Sequence, residues 1–341
     1  MKPFEPHPLL RNPHAQTLVS TFLPRRFPRL PRSVSRDFEI EPGTRIRGEC
    51  HWQAVPRERP TLVLVHGLEG SSESGYMLGL AERAFVAGWN AVRLNQRNCG
   101  GTESLTPTLY NSGLSGDYRA VLAELIEKDS LPEIFYAGYS MGGNLVLKMA
   151  GELAGVAPRQ LRAVAGVCPC VELGICADAV GLPGNYIYQE HFVRNLKKRM
   201  RRKLELFPGK FDLGPMARVR TLREFDDVIT ARYCGFRDAT DYYTRSSALR
   251  VTAAIRVPTL IVTAQDDPFV PFASFSDPAL AGNAHIRVVA PEHGGHCAFI
   301  SRYAGELRFW AEAWLMEFFA SHKSQTASSY IPDGAESEIS S

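Results

Sequence analysis

One pentapeptide in the sequence is suited to nucleophilic chemistry. Gly138-Tyr139-Ser140-Met141-Gly142 lies between a run with strand character, 133–137, and a stretch with helical character, 141–153. A strand that turns so sharply into a helix leaves room only for small residues beside the turn, hence the glycines at 138 and 142; Gly143 extends that freedom. The turn pushes the Ser140 hydroxyl out at the strand's end. Met141 then offers its backbone N–H at the start of a helix, where the dipole favours negative charge.

A serine hydroxyl is a poor nucleophile until a base takes its proton, and the base in turn needs an acid to orient it. Downstream, the apolar run 259–263 leads into Asp266-Asp267-Pro268. Adjacent side chains point different ways, so only one of the two serves; Asp267 is preferred and Asp266 is the alternative. Either could instead cap backbone amides in an Asp-Pro turn. The stretch 285–290 leads into His293-Gly294-Gly295-His296. His296 is the expected base, because it lies nearer the last helix and two glycines let its loop approach the serine. His293 is expected as its neighbour or stabiliser. The two histidines lack the i, i+4 spacing with a glutamate that a metal-binding helix shows, so neither a metal nor an organic cofactor is expected. The tetrahedral oxyanion needs donors. Val65-His66-Gly67-Leu68 follows the first buried run, and the backbone N–H groups of Leu68 and Met141 are the expected pair. His66 reads as a brace for that loop rather than as the base.

These residues must be positioned by a sheet. Residues 61–65 form a continuous apolar run, as expected for a strand buried on both faces. Strand character recurs at 89–94, 133–137, 163–167, 259–263 and 285–290, and helical character at 75–87, 114–128, 141–153 and 300–320. That alternation implies βαβ units and a parallel sheet, with function at the carboxyl ends of the strands. Residues 36–53 read as a hairpin of edge strands. Between 170 and 250 the strand signal lapses into helical, polar sequence rich in Arg, Lys and Tyr. The expected organisation is an N-terminal extension over 1–35 with little regular pattern and an α/β core over 36–170 and 251–320. A helical insertion at 171–250 and a loose tail at 321–341 complete it.

Composition narrows the class. The chain has 341 residues, 45% hydrophobic and 22% charged, which excludes a disordered chain, a collagen-like fibre or a coiled coil. A net charge of +3 is too small over this length to argue for nucleic acid. The seven cysteines are scattered and contain no C-x-x-C, so free thiols in a reducing compartment are expected. No apolar run is long enough to span a membrane and the N-terminus lacks a signal layout, so a cytoplasmic protein is expected.

The motifs together resemble the α/β-hydrolase fold, and more narrowly the YheT-like branch related to the alpha/beta hydrolase domain 1, 2 and 3 and EMB8 proteins. The narrower resemblance rests on Arg11-Asn12-Pro13-His14-Ala15-Gln16-Thr17, His66-Gly67-Leu68-Glu69-Gly70-Ser71 and Arg97-Asn98-Cys99-Gly100-Gly101-Thr102. It rests also on 110–117, 138–143, Phe225-Asp226-Asp227 with Asp241-Tyr242-Tyr243, Asp266-Asp267-Pro268 and Gly294-Gly295-His296, so that it covers roughly 8–320. It implies a serine hydrolase acting on acyl esters, with Ser140, Asp267 and His296 at the triad positions. Acyl transfer to alcohols, or a non-catalytic acyl-binding protein, are the alternative functions. The expected partner is a small acyl ester. The motif 11–17 suggests no chemical role by residue type.

The insertion carries a basic run, Lys197, Lys198, Arg199, Arg201, Arg202 and Lys203, interleaved with Leu196, Met200 and Leu204 at i, i+4, i+8. The plain reading is a solvated helix face. The sharper one is an apolar stripe capping the site, with the cations meeting an anionic membrane surface.

Overall fold

A computed structural model describes residues 3–303 and 306–324. The N-terminal segment folds into helix α1 (Pro13–Phe22), which the Pro- and Arg-rich composition does not suggest. Its start is locally encoded. Asn12 caps it, its side chain accepting from the N–H of Ala15 at 3.0 Å, and Pro13 occupies the first turn, where its missing N–H costs nothing.

The expected hairpin follows as β1 (Val34–Glu41) and β2 (Thr44–His51). The alternation then runs β3 (Thr61–Val65), α2 (Gly75–Val86), β4 (Asn90–Leu94), α3 (Ser115–Glu127), β5 (Ile134–Tyr139), α4 (Met141–Leu153) and β6 (Leu161–Val167). Between β6 and the next strand lie α5 (Leu173–Val180), α6 (Tyr186–Leu206), α7 (Leu222–Phe225), a π turn over Asp226–Ala231, α8 (Arg232–Cys234) and α9 (Ala239–Ser246). The sheet resumes with β7 (Thr259–Val262), then α10 (Pro278–Ala281) and β8 (Ile286–Val289). Where the closing helix is expected to begin, an antiparallel pair stands instead, β9 (Ile300–Tyr303) and β10 (Glu306–Phe309). The helix α11 (Trp310–Ser321) starts only after them, where the N–H of Trp310 bonds back to the carbonyl of Phe299 at 3.0 Å. Most of the tail expected at 321–341 lies outside the described residues.

The eight strands order as β1-β2-β4-β3-β5-β6-β7-β8, antiparallel in the β1-β2-β4 part and parallel from β4 onward. Period-two alternation in β3 shows how the two layers are held. Leu62 and Leu64 pack with Met77 and Leu80 of α2 and Leu315 and Phe319 of α11. Val63 and Val65 face the other way, onto Val121 and Leu125 of α3 and Leu145 of α4. All five residues of β3 are buried, as its unbroken apolar run requires. Among the described residues no helix is long and apolar enough to cross a membrane.

Candidate active site

The elbow between β5 and α4 sets Ser140 at φ 54° and ψ −119°, a conformation that a residue with a side chain seldom adopts. The turn is held by the Ser140 N–H on the Val167 carbonyl at 2.8 Å and by the Asn144 N–H on the Ser140 carbonyl at 3.1 Å. Both flanking glycines are demanded by space. A Cβ at Gly138 would sit 2.1 Å from the Gly142 carbonyl oxygen, and one at Gly142 would sit 2.4 Å from the carbonyl oxygens of Val65 and His66. The second clash also shows that the loop after β3 lies directly against the elbow.

The loops after β7 and β8 meet beside it. Asp267 places Oδ2 2.8 Å from His296 Nδ1. Its other oxygen accepts from the N–H groups of Phe269 at 2.8 Å and Val270 at 3.1 Å, so the carboxylate is fixed by its own loop. Asp267 thus caps backbone amides and reaches the histidine at once. The neighbouring Asp266 faces His293 at 3.2 Å and receives the Gly295 N–H at 3.0 Å. The two adjacent carboxylates therefore divide between the two histidines, and the Asp266 pair steadies the loop that presents His296. Burial alone would lower the pKa of His296, but the Asp267 charge and hydrogen bond hold it well above its ordinary value. Ser140 and His296 open onto one cavity.

Leu68 and Met141 line that cavity as well. Met141 is the first residue of α4, where a backbone N–H has no acceptor within the helix. His66 is buried and acts as a brace: Nδ1 lies 2.7 Å from the Gly67 carbonyl oxygen and Nε2 accepts the Gln96 N–H at 3.1 Å. Burial pushes it down to about 4, so it stays neutral. Beyond Leu68, Glu69 adopts φ 56°. Its carboxylate receives Arg199 Nε at 2.9 Å, Arg199 Nη2 at 3.0 Å and the Tyr110 hydroxyl at 2.5 Å. Arg199 also donates to the Asn98 carbonyl.

That contact corrects the reading of the basic run. Arg199 and Lys203 turn inward: Lys203 is fully buried and donates to the Glu103 carbonyl at 3.0 Å and to that of Thr106. Lys197 donates to the Val219 carbonyl at 2.6 Å, while Lys198, Arg201 and Arg202 are exposed. Of the apolar stripe, Leu196 and Met200 line the cavity, and Leu204 packs behind them against the core. Phe192, Leu173, Val180, Phe225 and Phe269 complete a largely apolar wall. One buried acid breaks it. Asp226, at the start of the π turn, accepts from Thr230 Oγ1 and the Tyr243 hydroxyl, each at 2.7 Å, and burial pushes its pKa up to about 6.

The motif at 11–17, opaque by residue type, proves to brace the histidine loop. Thr17 Oγ1 accepts the His296 N–H at 2.9 Å, and Gln16 Oε1 accepts the Ile300 N–H at 2.8 Å. His14 stacks on Tyr188 of α6 with ring centroids 5.8 Å apart. The Asn-Pro cap is the local signal for this helix; its partners, some 280 positions downstream, have none.

The alpha/beta hydrolase fold family matches residues 60–303. YheT of Escherichia coli is 31% identical over 311 residues, 89% of this chain and 90% of that protein. Phospholipase ABHD3 of Mus musculus is 28% identical over 243 residues, 71% of this chain and 59% of that longer protein. Among solved structures, the Pyrococcus furiosus esterase Pf2001 superposes with a TM-score of 0.58 at 13% identity, over 94% of this chain and 98% of the other. At that identity the likeness concerns the fold alone.

Proposed function

The chain belongs to the alpha/beta hydrolase fold family, and on that premise we propose that it is a serine hydrolase cleaving acyl esters through an acyl-enzyme. The observation that carries this reading is the 2.8 Å Asp267–His296 pair opening onto the same apolar cavity as the strained Ser140. Ser140 Oγ attacks the ester carbonyl and His296 takes its proton. Asp267 holds Nδ1–H and so fixes the tautomer that leaves Nε2 free to act as base. The N–H groups of Leu68 and Met141 receive the oxyanion. His296 then protonates the departing alcohol and, in the second half, activates the water that releases the acid.

The apolar wall of Leu173, Val180, Phe192, Leu196 and Met200 suits an aliphatic acyl chain. The mouse relative is a phospholipase by name, which agrees with a lipid-like ester. The exposed side of α6, with Arg194, Lys198, Arg201 and Arg202, is the face we assign to an anionic lipid surface.

A fluorophosphonate probe tests the chemistry. It should label wild type at Ser140, and Ser140→Ala should lose both the label and p-nitrophenyl ester hydrolysis by orders of magnitude. Retention of more than about a tenth of the turnover, a loss below about 1.4 kcal/mol, overturns the assignment.

A further inference from the structure

Two cysteines stand beside the proposed base. Cys168 is the first residue after β6 and is fully buried; Cys297 directly follows His296 and is half-buried. A sulfur of each and an imidazole nitrogen of His296 all lie within 4.8 Å of one another. Consecutive residues in an extended chain point to opposite sides. Here Cys297 adopts φ 59°, the left-handed turn that lets residues 296 and 297 serve one point, and Cys168 adopts φ 43° across from it. Left-handed residues other than glycine cost energy and collect at functional sites. The two thiols hydrogen-bond each other, and Cys297 also bonds the His296 side chain. Their further contacts are Cys168 Sγ to the Gly295 carbonyl at 3.8 Å, Cys297 Sγ to the Val167 carbonyl at 3.5 Å and the Cys297 N–H on Cys168 Sγ at 3.2 Å.

We propose that Cys168, Cys297 and His296 form an inhibitory site for a thiophilic divalent ion of the Zn²⁺ class. The proposal rests on the serine hydrolase reading for its consequence but not for its binding. Two thiolates and a neutral imidazole are a donor set that zinc takes, with water in a fourth position. Binding releases to bulk water the protons that the two thiols and the His296 imidazole carry, the two thiolate charges match the ion, and no oxidation occurs. Bonds of about 2.3 Å to sulfur and about 2.0 Å to nitrogen set tetrahedral donor separations near ~3.8 Å, so side-chain rotations of roughly an ångström close the site. Either imidazole nitrogen serves the inhibition. Nδ1 is the one Asp267 holds, and Nε2 is the one that must take the serine proton. The ion is therefore no cofactor of the chemistry; it withdraws the base from it.

The test uses the whole protein with Zn²⁺ and Co²⁺ as probes. Micromolar Zn²⁺ should suppress ester hydrolysis by wild type more than tenfold, and a chelator should restore it. Co²⁺ should give the near-ultraviolet thiolate-to-metal absorption. Cys168→Ser and Cys297→Ser should each weaken Zn²⁺ inhibition at least tenfold while still hydrolysing the ester in chelating buffer. Cys170→Ser, whose sulfur lies 3.6 Å from Ser140 Oγ outside this set, should leave Zn²⁺ binding unchanged. Ser140→Ala should bind one ion per chain although inactive, which separates this proposal from the catalytic one. Absence of the Co²⁺ absorption in wild type overturns the site even if the variants fail to fold, and so does inhibition undiminished in both serine variants.

Discussion

The strand-end loops and the cap helix α6 face each other across the same cavity but are held in different ways. At the strand ends, backbone groups do the fixing. Ser140 is tied through its N–H to Val167 at 2.8 Å, and Asp267 receives the N–H groups of Phe269 and Val270 from its own turn. The cap helix is fastened by the tips of long cations: Arg199 on Glu69 and Asn98, Lys203 on Glu103 and Thr106. Short connections hold reacting atoms to within fractions of an ångström, as nucleophile and base require. Long side chains, by contrast, hold the cavity wall in place from α6. On the proposed reading, the difference teaches that the chemistry is built into the sheet, while the cap decides what reaches it.

The sharpest way to break that division is at the acid. Asp267→Asn keeps the shape but removes the charge and favours the wrong histidine tautomer, with an expected loss of about three to four orders of magnitude in kcat. Asp266→Asn weakens only the His293 and Gly295 contacts, about 1 kcal/mol or roughly fivefold. Steady-state kinetics of the two variants decide the matter. Equal losses, or the reverse order, move the acid to Asp266.

The fastening of the cap can be broken from either end. Glu69 and Arg199 are 6% and 12% exposed as side chains, so removing one partner strands a buried charge, at a cost of about 4 kcal/mol. Because Glu69 follows Leu68, the damage should reach the loop proposed to receive the oxyanion. Arg199→Met and Glu69→Gln should each lower kcat/KM about tenfold or more, and their double variant should lose far less than the sum. Strict additivity on urea denaturation and on kcat/KM would show that the pair does not act as a unit.

The same contrast separates what is legible in the sequence from what only packing reveals. The elbow is legible because small residues, strand and helix are adjacent along the chain, and the Asp267 and His296 loops because each follows a run with strand character, buried in β7 and partly exposed in β8. Sheet and hairpin are legible from period-two and unbroken apolar patterning. The bracing of His296 by Thr17 and of Ile300 by Gln16 is not, since nothing local to either partner encodes a contact across the whole chain. Nor can helical spacing tell Arg199 and Lys203 from their exposed neighbours. On a helix the residues between apolar positions lie toward its flanks, and only the fold determines which flank meets the core. Ile300–Tyr303 and Glu306–Phe309 read as the start of a helix but pair as strands, because so short a stretch of mixed polar and apolar residues carries no periodicity that separates the two states.

A third effect lies in the cavity wall. Asp226 holds its carboxyl at about 6, against an ordinary 3.8, because it is buried. As pH rises from about 4 to about 6, the unfolded chain releases this proton while the folded one keeps it. The folded state therefore binds more protons there, and stability falls with rising pH across that window. Two pH units correspond to about 3 kcal/mol at most. Asp226→Asn removes the dependence but keeps a carbonyl acceptor for only one of the Thr230 and Tyr243 hydroxyls. The stability difference between variant and wild type should thus shift toward the variant by up to about 3 kcal/mol between pH 4 and pH 7. A difference that stays flat over that range would mean that Asp226 ionises as freely as a surface acid.

The smallest effect concerns the outward side of α6. Arg194, Lys198, Arg201 and Arg202 are exposed there, and Tyr186 and Ile187, at 63% and 70% exposure, stand uncovered at the start of the same helix. The Arg202–Glu205 pair at 2.9 Å is exposed on both sides and neutralises little. A cation near an anionic bilayer contributes on the order of 1 kcal/mol, screened within about 10 Å at ordinary salt. Four of them, with an apolar edge to insert, should give measurable co-sedimentation with anionic vesicles at low salt that fades as salt rises. Replacing all four by Gln should abolish that binding and leave hydrolysis of a short soluble ester unchanged, because none of the four lines the cavity. Lys197, Arg199 and Lys203 are excluded from the set because their hydrogen bonds serve the fold. If wild type ignores anionic vesicles at low salt, the exposed cations are a solvated surface, and the cap's function is confined to its inner, apolar side.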